Sequence, residues 1–151
     1  LARIAGYVGK GGAAGSWDAA AAACRAVNGD AFPDRDDAFW MRFARRTFRE
    51  TGRGVLEPDY DPAIANAFAQ PGDAAPAPAP DLSPLFKNLS GVPVLVVRGA
   101  TSDILSAEGV AAMRALKSDL VVAEVPRTGH APTLEEPEAF DAIVDFLAIT
   151  P

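Results

Sequence analysis

One histidine is the residue of this chain best suited to chemistry. His130 is the only histidine, and it lies in segment 127–132, RTGHAP. An imidazole can accept the proton of a serine hydroxyl, which is otherwise a poor nucleophile. It needs a carboxylate on its other nitrogen to fix its tautomer and to stabilise the charge that forms. Asp103, at the end of segment 98–103, RGATSD, is the candidate for that carboxylate.

Two apolar runs predict the elements that position these residues. Residues 92–97 and 120–125 are rich in Val and Leu, which predicts strands buried on both faces. Between them, residues 106–117 predict a helix with Ser106 as its cap. A strand, a helix and a second strand in this order form a parallel crossover. Asp103 and His130 then follow the carboxyl ends of both strands, at the edge where ligands collect in open parallel sheets.

The first half of the chain predicts helices. Residues 17–27 predict a helix that begins after the cap residue Ser16. A second helix is predicted from residues 32–34, continuing to the glycines at 52–54. A short third helix is predicted over residues 62–68, with proline in its first position.

A segment rich in proline and alanine divides the chain. The prolines of residues 71–80 lack the amide hydrogen that a helix or strand requires. We therefore expect one domain over residues 1–80, mostly helical, with a glycine-rich entry. A second domain over residues 81–151 contains the two strands, a helical turn over 81–87 and a terminal helix over 137–147. The predicted fold class is α/β.

The composition argues against several classes of protein. The 151 residues include 14 Lys and Arg against 20 Asp and Glu, a net charge of −6, so binding to nucleic acid through charge is not expected. The single cysteine, Cys24, cannot form an internal disulfide. No apolar run is long enough to span a membrane. No signal peptide is visible, so a cytoplasmic location is expected, although the chain starts at Leu1 rather than Met.

The residues around the two candidates form a set that resembles a known family. The set consists of segment 92–99 (VPVLVVRG), Asp103, Gly129-His130, Glu135, Pro137 and Phe146-Leu147. It resembles the C-terminal third of the α/β-hydrolase superfamily, and residues 1–80 resemble more loosely the helical cap of many members. The resemblance implies that Asp103 is the acid and His130 the base of a nucleophile–His–acid triad. The family's order of nucleophile, acid and histidine implies that the nucleophile lies upstream, since no serine of this chain stands in a Gly-x-Ser-x-Gly elbow.

The resemblance implies a cofactor-independent hydrolase that needs no metal and acts on carboxylic esters. The expected substrate is a small or medium, fairly apolar ester. Trp17, Trp40 and Phe43 are candidates for its contacts beneath the cap, with ordinary helix packing as the alternative for each. An aspartate nucleophile would instead make the protein a haloalkane dehalogenase or an epoxide hydrolase. A non-catalytic ligand-binding relative, or an inert fragment, is the remaining alternative.

The predicted sheet is too small to stand alone. Two parallel strands with helices cannot cover their own faces and edges. We therefore expect the missing N-terminal half of the hydrolase as a partner. Without that half, the chain is expected to be inactive.

Overall fold

The computed structural model describes residues 12–67 and 80–150. Within these ranges the chain divides into two compact units. The first comprises residues 12–29 and 34–67, and the second comprises residues 30–33 and 80–150. The function of the first unit as a cap stays a prediction.

Parts of three sequence predictions lie outside the described residues. They are the glycine-rich entry up to residue 11, the end of the third helix at Phe68, and the linker over residues 71–79.

Two helices pack together in the first unit. Helix α1 spans Trp17–Asn28 and helix α2 spans Asp37–Thr47. Their most deeply buried residues include Ala20 and Ala44, and such small side chains let two helices approach closely. Helix α1 begins where predicted, because the Ser16 hydroxyl accepts a backbone amide of the first turn at 3.2 Å and so replaces a missing helical bond.

The start of helix α2 corrects a sequence prediction. The helix begins at Asp37 and not at residues 32–34. Asp36 is the cap, because its carboxylate accepts the Phe39 amide at 2.8 Å. Residues 32 and 33, where the sequence predicts the start of this helix, belong to the second unit together with residues 30 and 31.

An antiparallel hairpin replaces the predicted end of the second helix. Strand β1, Phe48–Glu50, pairs with strand β2, Leu56–Pro58, whereas the sequence predicts a helix as far as the glycines of the turn between them. The Thr51 amide donates to the Val55 carbonyl at 2.8 Å, and Gly54 has a φ of 69°, which glycine adopts without strain. In the sequence, Arg42, Arg45, Arg46 and Arg49 recur at helical spacing, and this pattern made the predicted helix too long.

Short helical segments lie on either side of the undescribed linker. Pro62–Ala67 is a 3-10 helix, where the sequence predicts a short α-helix. Helix α3 spans Ser83–Lys87, within the predicted turn over 81–87, and a 3-10 helix follows at Asn88–Gly91.

The second unit is built around two parallel strands. Strand β3 spans Leu95–Gly99 and strand β4 spans Val121–Val125, with Arg98 opposite Glu124. Helix α4, Ala107–Leu116, connects them. This is the predicted strand–helix–strand unit, although β3 spans Leu95–Gly99 where the sequence predicts a strand over residues 92–97. The α/β fold class is confirmed.

Apolar side chains of the second unit are exposed. Helix α5 spans Pro137–Ile149, and on its predicted apolar stripe Phe140 is 57% exposed and Leu147 is 65% exposed. Residues 95–97 of β3 are only half-buried, although the sequence predicts burial on both faces. No helix in the described part of the chain is both long and apolar enough to cross a membrane.

Candidate active site

The two candidate residues follow the carboxyl ends of the paired strands. Asp103 lies beyond β3 and His130 lies beyond β4, and both are exposed. Their loops bond to each other, since the Thr101 amide donates to the Thr128 carbonyl at 3.0 Å. The structure therefore brings together the aspartate loop, residues 100–105, and the histidine loop, residues 126–136.

Two glycines allow the histidine loop its close approach to neighbouring backbone. A Cβ on Gly99 would overlap the carbonyl oxygens of Thr128 and Gly129. A Cβ on Gly129 would lie 2.8 Å from the Cβ of Ala31. The Gly129 amide also donates to the Ala31 carbonyl at 2.7 Å. The histidine loop thus lies tightly between the end of β3 and the segment around Ala31, where larger residues would collide with backbone.

The backbone of the aspartate loop is fixed from within. The buried Ser102 hydroxyl accepts the amides of Ile104 at 3.3 Å and Leu105 at 3.1 Å. A serine that bonds the backbone a few residues on is a turn-forming residue. Asp103 lies inside this turn.

A buried arginine that the sequence analysis did not single out contacts the same loop. Arg98, near the end of β3, is 7% exposed. Its Nε donates to the Leu105 carbonyl at 2.7 Å, its Nη2 donates to the Ala100 carbonyl at 3.1 Å, and its Nη1 donates to the Glu124 carboxylate. Charged groups are seldom buried unless they are paired, and this one has three partners. The signal in the sequence is an arginine at the end of an apolar run.

A second carboxylate lies near this arginine. The pKa of the exposed Glu108 is held below its usual range. The causes are a hydrogen bond from a backbone amide, a hydrogen bond from the Ser106 hydroxyl and the charge of Arg98. Glu108 therefore keeps its negative charge to lower pH than a free glutamate. Arg98 therefore has one acidic side chain near it on α4, Glu108, and another on β4, Glu124.

Bonds within the histidine loop close it at both ends. The buried Thr128 hydroxyl donates to the Pro126 carbonyl at 3.1 Å. Beyond His130, the Glu136 carboxylate accepts the Thr133 hydroxyl at 3.0 Å. Glu136 is the cap residue of α5, so the loop runs directly from β4 into that helix.

The three aromatic candidates all lie in the first unit. Trp40 is 2% exposed, and its ring centroid lies 5.8 Å from that of Phe43. Trp17 is half-buried, with the Arg45 guanidinium 4.6 Å from its ring centroid. A cleft of about 270 Å³ between α1 and α2 includes Trp40 in its wall but neither of the other two. Its lining is Asp18, Ala21, Ala22, Arg25, Asp37, Trp40 and Met41. Trp40 therefore packs against Phe43. Of the three candidates, only Trp40 lines this cleft.

The serine hydroxyls and the cysteine thiol that make hydrogen bonds in the structure hold the nearby backbone or pack inside the protein. Ser16 and Ser106 cap helices, and Ser102 closes the aspartate loop. Cys24 is buried beside the Thr47 hydroxyl at 3.4 Å, and burial raises the pKa of its thiol, which keeps it in the unreactive protonated form. In residues 12–67 and 80–150, no group of three His, Cys, Asp or Glu side chains could hold a metal ion.

Comparison with known proteins relates nearly all of this chain to hydrolases. A solved α/β hydrolase from Novosphingobium aromaticivorans DSM 12444 is 44% identical, with a TM-score of 0.84 over 97% of this chain and 50% of that protein. The 3-hydroxybutyrate-oligomer hydrolase of Cupriavidus necator is 38% identical over an alignment of 110 positions, and the match covers 63% of this chain and 37% of that protein. An esterase from Mycobacterium tuberculosis is 20% identical and shares the fold, with a TM-score of 0.59 over 99% of this chain and 48% of that protein.

These relatives are considerably longer than the chain. The chain spans about half the length of the solved hydrolases, and the match covers 37% of the curated relative. No protein-family model matches it.

Proposed function

The chain belongs to the α/β-hydrolase superfamily, and from that premise we propose that it supplies two of the three triad residues of a carboxylic-ester hydrolase. His130 is the general base, and Asp103 is the acid that orients it. The observation that carries the proposal is the pair of bonded loops at the carboxyl ends of β3 and β4. Ligand chemistry collects at this edge of an open parallel sheet.

The nucleophile in this proposal comes from a part of the hydrolase outside these 151 residues. A serine there attacks the ester carbonyl, while His130 takes its proton and passes it to the leaving alkoxide. Asp103 holds the imidazole in the right tautomer and stabilises its positive charge. Water then attacks the acyl-enzyme, with His130 again as the base.

The choice of an ester substrate is supported by a relative. The 38% identical protein is named for the hydrolysis of 3-hydroxybutyrate oligomers, and hydroxy acids join to one another through ester bonds. We propose a small or medium ester as the substrate of this protein. Trp17, Trp40 and Phe43 are the proposed aromatic contacts.

Replacing His130 in the complete hydrolase tests the proposal. We expect His130→Ala to lower kcat on a short-chain p-nitrophenyl ester by roughly 10³-fold or more, since loss of one triad member disables the unit. The matched control is Ser118→Ala, an exposed serine near the opposite end of β4, which should keep wild-type activity. Equal activity of wild type and His130→Ala, with equal thermal stability, would refute the catalytic role.

A further inference from the structure

The proposed mechanism does not use Arg98, although its buried guanidinium donates three hydrogen bonds beside the candidate site. We propose that Arg98 is a positioning residue for the triad acid: it holds loop 100–105 closed and so presents Asp103 at the sheet edge. The inference rests on the proposed function, because it assumes that Asp103 is the acid. It adds a residue that acts through Asp103 without touching the substrate.

The bonds of Arg98 span the loop from end to end. Its Nη2 reaches the Ala100 carbonyl where the loop begins, and its Nε reaches the Leu105 carbonyl where it ends. Asp103 lies between these two anchor points. A planar guanidinium has several donors in a fixed fork and can bond both carbonyls at once, whereas a lysine ammonium is a compact point charge on a flexible stem.

A third bond ties the same guanidinium to the strand that leads to His130. Glu124 lies opposite Arg98 in the parallel ladder and accepts its Nη1. Arg98 is buried while Glu124 is 56% exposed, so the carboxylate balances the buried charge from the solvent side. The aspartate loop is therefore fastened to β4 through Arg98, in addition to the backbone bond from Thr101 to Thr128.

Loss of the guanidinium would loosen the loop without removing any reacting group. The carbonyls of Ala100 and Leu105 would lose their donor, and unmade bonds of buried groups are costly. The Ser102 bonds would still shape the turn, but its position against β4 would be less fixed. A displacement of about 1 Å in a catalytic group can lower a rate by roughly 100-fold.

The test compares Arg98→Met, Arg98→Lys, Asp103→Asn and the double variant Arg98→Met/Asp103→Asn in the complete hydrolase. We expect Arg98→Met to lower kcat by roughly 10- to 100-fold with KM changed less than about threefold. Arg98→Lys should recover part of kcat, because it keeps the charge and one bond. In the Asp103→Asn background, Arg98→Met should lower kcat by less than about twofold, because the group on which it acts is already disabled.

Lys117 provides a matched control. It is also a buried cation, and its Nζ bonds the exposed Asp119 carboxylate at 3.0 Å. It lies at the end of α4, before β4 begins, and contacts neither loop in the bonds described. Lys117→Met should lower the melting temperature while kcat stays within about twofold of wild type.

Hydrogen exchange separates failure of this inference from failure of the proposed function. Arg98→Met should speed exchange of the Ile104 and Leu105 amides, and Lys117→Met should not. If Asp103→Asn kept full kcat, Asp103 would not be the acid. The positioning role of Arg98 would then fail as well, even if hydrogen exchange showed a looser loop. If kcat falls in Asp103→Asn, two results would overturn the role of Arg98 alone. One is an unchanged kcat in Arg98→Met, and the other is a double variant in which the two losses of kcat multiply.

Discussion

Gly99 lies opposite Val125 at the end of the parallel ladder, and its missing side chain leaves room for the histidine loop. The carbonyl groups of Thr128 and Gly129 occupy the space that a Cβ would need. These neighbours are backbone atoms, so they cannot move aside by changing rotamer. At the scale of single residues, the position of the His130 loop therefore depends on a glycine on the neighbouring strand.

Alanine at Gly99 should destabilise the protein, whereas alanine at Gly109 should not. We expect Gly99→Ala to lower the free energy of unfolding by about 2–3 kcal/mol, because the added methyl group forces backbone apart. Gly109 lies inside α4, where an added Cβ would lie 3.4 Å from the Leu105 side chain. Gly109→Ala should raise the stability by about 0.5–1 kcal/mol through helix propensity.

Urea unfolding of both variants and of wild type, each in the complete hydrolase, checks this pair. Equal stability of Gly99→Ala and wild type would mean that the loop is not packed against β3 as described.

At the scale of elements, helices α1, α2 and α4 begin where a side chain replaces a missing backbone hydrogen bond. Ser16, Asp36 and Ser106 each accept an amide in the first turn of their helix. The sequence indicates two of these caps directly. The sequence does not single out Asp36, because several aspartates precede α2 and Pro33 also suggests a helix start.

The cap of α2 can be tested with a conservative pair of variants. In the complete hydrolase, Asp36→Ala should lower the free energy of unfolding by about 1 kcal/mol, since the Phe39 amide loses its acceptor. Asp36→Asn should remain close to wild type, because asparagine caps helices about as well as aspartate. Thermal unfolding at fixed pH measures both, and equal losses in the two variants would point to the charge of Asp36 instead of its cap bond.

At the scale of the whole molecule, the second unit carries more exposed apolar surface than a two-stranded sheet can hide. The exposed residues include Leu82, Leu85, Ile104, Val121, Phe140, Val144, Leu147 and Ile149. Large apolar side chains exposed in this number indicate surface that another structure covers. The solved hydrolases extend about twice as far, so we propose that the rest of the hydrolase core covers it.

Residues 1–151 expressed alone should not behave as a compact monomer. We expect aggregates or higher oligomers by size-exclusion chromatography, with strong binding of the dye ANS to the exposed apolar faces. Co-expression with the nucleophile-bearing half should remove the dye binding and give a cooperative thermal transition. A monomeric preparation of residues 1–151 that melts cooperatively and does not bind the dye would contradict this.

The sequence alone determined the elements whose signals are local. The Val and Leu runs predicted β3 and β4, the cap serines predicted the starts of α1 and α4, and helical spacing predicted α5. The segments around Asp103 and His130 also sufficed to recognise the superfamily. Each of these signals lies within a few residues or one helical turn, so it can be read without the fold.

Tertiary structure decided the features that depend on contacts distant in the sequence. Residues 32 and 33 lie outside the helix predicted for them because segment 30–33 packs in the second unit, where the Ala31 carbonyl accepts the Gly129 amide. The β1–β2 hairpin overrides a helical pattern of arginines. In the sequence, Arg98 is only the polar residue at the end of an apolar run. The structure shows that it bonds Leu105 and Glu124. Partners so far apart in the chain leave no local periodicity, because their bonds form only when the strands pair.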